Sequence, residues 1–135
     1  MSGSARNGNE EGVQAWNATR GTAVAERVEI ADTWWTRLRG MMGRPEPSDG
    51  EGLLLDPCRA VHMYWMNYPL DVAFLDPDGR VVAVYHELAP SRRSKRHGDA
   101  NRALELRAGR LAETQTEVGD HIELRNGSGK VASHG

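Results

Sequence analysis

The chain has 135 residues, room for one domain, and at this size roughly 65–70% of the unfolded surface can be buried, so no metal or disulfide staple is needed. Hydrophobic residues make up 39% and charged residues 27%, ordinary values for a soluble globular protein, while a net charge of −2 argues against a general nucleic-acid binder. A single cysteine, Cys58, excludes an intrachain disulfide, and no apolar run reaches the roughly 18 residues of a transmembrane helix.

Residues 1–12 hold Gly, Ser, Asn and Glu with little to bury and read as a disordered tail. No apolar h-region follows, so no secretory signal is recognised and a cytoplasmic location is expected. Residues 126–135 read as a second flexible tail, leaving 13–125 as the folded unit. Residues 13–17 suggest a short first strand. Residues 21–31 alternate loosely and read as a strand, with a bulge near Glu26-Arg27 as the alternative. Trp34, Trp35, Leu38, Met41 and Met42 share one face of a 3.6 period, which predicts a helix over 33–42 with Asp32 as N-cap, Gly43 past its end and Trp34, Leu38 and Met41 buried.

A Pro- and Gly-rich loop over 45–52 precedes Leu53-Leu54-Leu55, a short run consistent with a buried strand. Residues 60–66 alternate: Val61, Met63 and Trp65 point one way, His62, Tyr64 and Met66 the other. Leu70, Val72 and Phe74 form the apolar face of the next strand. Asp76-Pro77-Asp78-Gly79 is the strongest turn signal in the chain and joins that strand to Val81–Tyr85 as an antiparallel hairpin. Residues 89–99 read as a polar, basic loop, with 90–98 as a mobile, exposed connection. Ala103, Leu104 and Leu106 suggest another strand, Gly109 to Thr116 a short helix with Leu111 inward, and 121–125 a final strand. The fold class is α+β, with mainly antiparallel strands curling into a compact barrel-like domain and one clear and one short helix packed on it.

These residues resemble the DUF192 family, also called UPF0127. The resemblance rests on Gly40-Met41-Met42-Gly43-Arg44, on the segment from Gly52-Leu53-Leu54-Leu55 through Pro57-Cys58, His62 and Met66 to Pro69-Leu70-Asp71-Val72-Ala73-Phe74-Leu75-Asp76, and on Leu104-Glu105-Leu106, Ala108-Gly109 and Gly119-Asp120. It spans about residues 20–125 and implies a compact, mainly β domain with no established activity. Relatives commonly carry Arg or Lys after the motif methionine, where this chain has Asn67, and many carry an export signal or lipoprotein leader.

Several residues carry candidate chemistry. Cys58 and His62 could pair as nucleophile and base, although four residues along a regular strand separate them by about 13 Å, and a Cys beside Pro is commonly a small core filler. Cys58, His62 and Met66, with Met41 or Met42, would make a soft ligand set for Cu(I); the structural alternative places Met and aromatic residues in the core. Asp71, flanked by Leu70 and Val72, could act as an acid or base if buried, but such a group commonly organises a turn through backbone N–H bonds. Arg92, Arg93, Lys95, Arg96 and His97 form a basic loop without the aromatic interleaving of a base-stacking surface. No phosphate-binding loop, dinucleotide fingerprint or zinc-protease helix is present.

The expected function is a small ligand-binding or accessory domain, monomeric, with its site formed by His62, Tyr64 and Met66 and with Asp71 and Cys58 at the margin. No cofactor, metal, nucleic acid or membrane partner is expected. The alternatives are an enzyme using Cys58, His62 or Asp71, and an interaction module using Trp16 or the basic loop.

Overall fold

A computed structural model describes residues 12–126 of the chain. The terminal segments expected to be loose lie outside the described residues, except for Gly12 and for Asn126, which ends the last strand. Strand β1 (Val13–Asn17) turns back into β2 (Thr22–Ala25) in antiparallel register. A single exposed residue, Glu26, separates β2 from β3 (Arg27–Ala31), and the two belong to different sheets. The irregularity expected at Glu26-Arg27 is therefore a hand-over from one sheet to the other. After α1 (Trp34–Arg39), β4 (Glu51–Leu55) lies parallel to β3. The hairpin of β5 (Leu70–Leu75) and β6 (Val81–Leu88), then β7 (Arg102–Arg107), α2 (Arg110–Glu113) and β8 (Ile122–Asn126), complete the chain.

The strands form a three-stranded sheet, β2-β1-β8, and a five-stranded sheet, β3-β4-β7-β5-β6. The α+β class with mostly antiparallel strands holds, but the two sheets do not close into a barrel. The parallel β3–β4 pair sits at one edge of the larger sheet, and β6 ends the other edge. The inner strands β4, β5 and β7 are covered on both faces. Leu54, Ala73, Leu75, Leu104 and Leu106 face the small sheet, together with Leu111 from α2. Leu53, Leu55, Leu70, Val72 and Phe74 face the opposite way, under Met41, Val61 and Met63.

The hairpin turn is built as its residues dictate. Asp76 Oδ1 accepts from the N–H groups of Asp78 and Arg80, each at 2.9 Å. Gly79 has φ +91, and a Cβ there would stand 2.4 Å from the Ile122 carbonyl oxygen, which rules out any other residue without a backbone shift.

Helix α1 departs from the sequence reading. Its N-cap is Thr33, whose side chain forms a reciprocal capping box with Thr36, and it stops at Gly40, whose φ is +52. None of its residues is buried: Trp34 is 68% exposed, Trp35 64% and Leu38 50%. Met41 alone of the expected face reaches the core, and it does so from beyond the helix end. The periodicity is real, but the stripe faces outward. The Leu38→Ala cost of about 2–5 kcal/mol that applies to a buried leucine is therefore replaced by an expected loss below about 1 kcal/mol in urea denaturation.

Candidate ligand pocket

The segment between β4 and β5 is held by backbone bonds to two distant stretches. Cys58 N–H donates to the Asn101 carbonyl at 2.9 Å and Met63 N–H to the Arg92 carbonyl at 2.8 Å, while Ser91 N–H donates to the Met63 carbonyl at 2.9 Å. Val61 exchanges bonds with Ser94: its N–H donates to Ser94 Oγ and its carbonyl accepts from Ser94 N–H. On the other side the Tyr68 hydroxyl donates towards the carbonyls that follow α1, with the Arg44 oxygen nearest at 2.9 Å. Residues 90–98, expected to be mobile, are thus stitched along their length to residues 59–63.

The alternation over 60–66 holds in part. Val61 and Met63 are buried, His62 and Tyr64 exposed. The segment is not a regular strand: it makes one antiparallel bridge, His62 with Arg93. At Trp65 φ is +63, and this reversal leaves the indole 75% exposed and swings Met66 back against the core. Trp65 and Met66 therefore exchange the sides expected of them. Trp16 is half-buried, with the Arg125 guanidinium 4.6 Å above its ring, so the exposed tryptophans are Trp34, Trp35 and Trp65.

Cys58, His62, Tyr64 and Met66 line one cavity of about 70 Å³, roofed by residues 37–42. Every methionine among the described residues, Met41, Met42, Met63 and Met66, contributes to its wall. Asp71 does not. It lies on the other face of β5, completely buried, where its two oxygens accept from the N–H groups of Glu87 and Leu111 at 2.8 Å each. That is the structural alternative weighed for it.

Cys58 and His62 share the cavity without pairing. The Cys58 thiol donates to the Ala60 carbonyl at 3.2 Å, and burial pushes its pKa up, only partly offset by that bond. His62 Nδ1 accepts from Tyr64 N–H at 3.4 Å while its ring stacks on Tyr64 at 4.8 Å. A neutral thiol is a poor nucleophile. Iodoacetamide at pH 7 should accordingly alkylate Cys58 more slowly than a free-thiol peptide, on the order of tenfold; a faster rate would restore the nucleophile reading. The thiol and thioethers are soft groups of the kind that Cu(I) prefers; a site of three His, Cys, Asp or Glu ligands, without methionine, is not formed among the described residues.

The residue missed from sequence is Glu105, on β7 between Leu53 and Val72 of the neighbouring strands. It lines the cavity, is 4% exposed, and its Oε1 has no hydrogen-bond partner. Burial pushes its pKa up to about 7, against the opposing charge of Arg44. Gly40 leaves the space above it open: a Cβ there would stand 3.7 Å from Oε1. Arg37 Nε, also at the cavity wall, is a buried donor without a partner. Ala103 beside Leu104 was the available signal. Adjacent apolar residues in a strand imply cover on both faces, and hence a buried Glu105.

The sequence model of DUF192, an uncharacterized ACR, matches residues 15–124. A UPF0127 protein of Thermococcus sibiricus is 32% identical over 111 residues, covering 79% of this chain and 71% of that protein. Two crystal structures share the fold. One, a protein of unknown function from Novosphingobium aromaticivorans, is 27% identical with a TM-score of 0.72 over 82% of each chain. The other, from Sinorhizobium meliloti and described as a candidate transcription regulator, is 26% identical with a TM-score of 0.70, covering 83% of this chain and 91% of that one.

Proposed function

The chain belongs to the uncharacterized DUF192 family, and from that premise we propose that it is a small-ligand-binding or accessory domain whose site is the cavity between α1 and residues 58–66. The observation that carries this reading is the unpaired Glu105 oxygen. A buried acceptor without a partner costs about 1–3 kcal/mol, and here it faces a space that a ligand group can enter. A cavity of about 70 Å³ admits a head group of a few non-hydrogen atoms. The soft methionine wall suits an apolar stem, and Glu105 suits a donor such as an amine, amide or hydroxyl. The exposed Leu38 and Tyr64 stand at the mouth.

The test is a thermal-shift panel of small amines, amides and alcohols at pH 7. A binder should raise the melting temperature by a few degrees, and the rise should vanish in Glu105→Gln and shrink in His62→Ala. No rise across the panel, or a rise that both variants keep, overturns the reading. A carboxyl poised near neutrality is also what a general acid–base needs. That second reading requires the bound compound to be chemically altered by the parent chain and left intact by Glu105→Gln.

A further inference from the structure

We infer that the open groove between residues 60–64 and the loop 93–96 is a second site, for a ligand that joins a phosphate to a planar ring, as a nucleoside monophosphate does. The groove encloses about 610 Å³, within the range of small-molecule sites. It shares Ala60, Val61, His62 and Tyr64 with the Glu105 cavity but takes its other wall from Arg93, Ser94, Lys95 and Arg96 in place of α1. It would stand if that cavity proved to have no ligand.

Its charge is one-sided. Three cations line it and no carboxylate does. Several arginines elsewhere are tied down: Arg20, Arg44, Arg107, Arg110 and Arg125 in ion pairs, Arg39 and Arg59 on carbonyl oxygens. The side chains of Arg93, Lys95 and Arg96 make no ion pair among the described residues. Clustered like charges repel one another, and a bound anion relieves that repulsion. Guanidinium groups suit a phosphate in particular, because their planar fork matches two of its oxygens.

The frame is preformed. Ser94 is buried and bonded to Val61 through both backbone and hydroxyl. Lys95 N–H donates to the Tyr85 hydroxyl at 3.0 Å, which contacts His97 Nε2 at 2.8 Å, and His97 N–H donates to the Arg59 carbonyl. The cations therefore stand on fixed backbone, which lowers the cost of ordering them around a ligand. On the facing wall the stacked His62 and Tyr64 rings, 24° from parallel, form the aromatic platform that the basic loop lacks in sequence. A base can stack there while its phosphate meets the cations. The groove's three cations lie on one short loop of a chain with net charge −2, which suits one nucleotide better than a strand.

The test is calorimetric titration of the full chain with AMP, adenosine, inorganic phosphate and a single-stranded oligonucleotide at about 150 mM salt. AMP should bind at least about tenfold more tightly than adenosine or phosphate. The double variant Arg93→Ala/Arg96→Ala and the single variant Tyr64→Ala should each weaken AMP by about tenfold or more. Arg80→Ala, at the β5–β6 turn, should leave it unchanged. All these side chains are exposed, and an unchanged circular dichroism spectrum certifies each variant; Lys95→Gln gives the same direction if the double variant misfolds. No AMP binding at millimolar concentration, AMP binding indifferent to the groove variants, phosphate bound as tightly as AMP, or an oligonucleotide bound more than about a hundredfold tighter than AMP would each overturn the assignment.

Discussion

Glu105→Gln is expected to be more stable than the parent chain at pH 8 and close to it at pH 5. Burial raises the folded-state pKa of Glu105 from 4.5 to about 7. Between those two values the folded chain holds a proton that the unfolded chain has released. Stability therefore falls as pH rises through this window, and the full penalty is present above about pH 7. A shift of this size corresponds to about 3 kcal/mol. Glutamine keeps the shape and cannot ionise, so urea denaturation of the variant should lose most of this slope. Its advantage at pH 8 should be about 1–3 kcal/mol, reduced by whatever the buried amide fails to bond. Arg44→Gln should act in the opposite direction, because Arg44 supplies the charge that opposes the upward shift. A variant no more stable than the parent at pH 8 would mean that the carboxylate is already solvated in the fold, and the cavity reading would lose its polar anchor.

The parts of this fold legible in sequence are those decided locally. Asp76-Pro77-Asp78-Gly79 specifies its turn through the conformational preferences of its own residues, and the structure forms it between β5 and β6. Leu53-Leu54-Leu55 reads as a buried strand, because apolar neighbours on both faces leave little alternative, and Ala103, Leu104 and Leu106 read as a strand. Leu111 inward on a short helix follows from the same kind of reasoning. The rest depended on what lies opposite. An apolar stripe at helical spacing shows that a helix has two unlike faces, not which one meets the core; Trp34, Trp35 and Leu38 face out because residues 41 and 61–63 already cover that side of the sheet. The positive φ at Trp65 is a conformation rarely adopted by a bulky residue, and no local signal announces it. Of the residues expected to form the site, Cys58, His62, Tyr64 and Met66 do line one cavity, although Met66 arrives through that reversal. Asp71 is on the wrong face because alternation along β5 separates it from Leu70 and Val72. Tyr64 and Arg93 are almost thirty positions apart, so the aromatic and basic walls of the groove are adjacent only once the His62–Arg93 bridge forms.

Asp71→Ala should cost about 2–5 kcal/mol, with no need for any ligand to reveal it. The N-cap of helix α2 is Gly109, which has no side chain to cap it, and Leu111 N–H is one of the donors that the first helical turn leaves unsatisfied. Asp71 Oδ2 accepts from that N–H across 40 positions of sequence, so β5 supplies the cap the helix lacks. Its other oxygen holds Glu87 N–H, where β6 shifts register against β5 and Glu87 takes φ +54, a left-handed conformation that costs about 1–2 kcal/mol. One carboxylate thus fixes a helix start and a strained strand residue at once. Alanine would leave both N–H groups without their acceptor. Asparagine retains one acceptor but turns an amide N–H towards the second donor, so Asp71→Asn should lose roughly half as much. Urea denaturation gives the magnitudes, and hydrogen exchange gives the location: the amides of Glu87 and of residues 110–114 should open first. A stable Asp71→Ala variant with unchanged exchange at both places would show that the two bonds carry no structural role, and would return Asp71 to consideration as an acid or base.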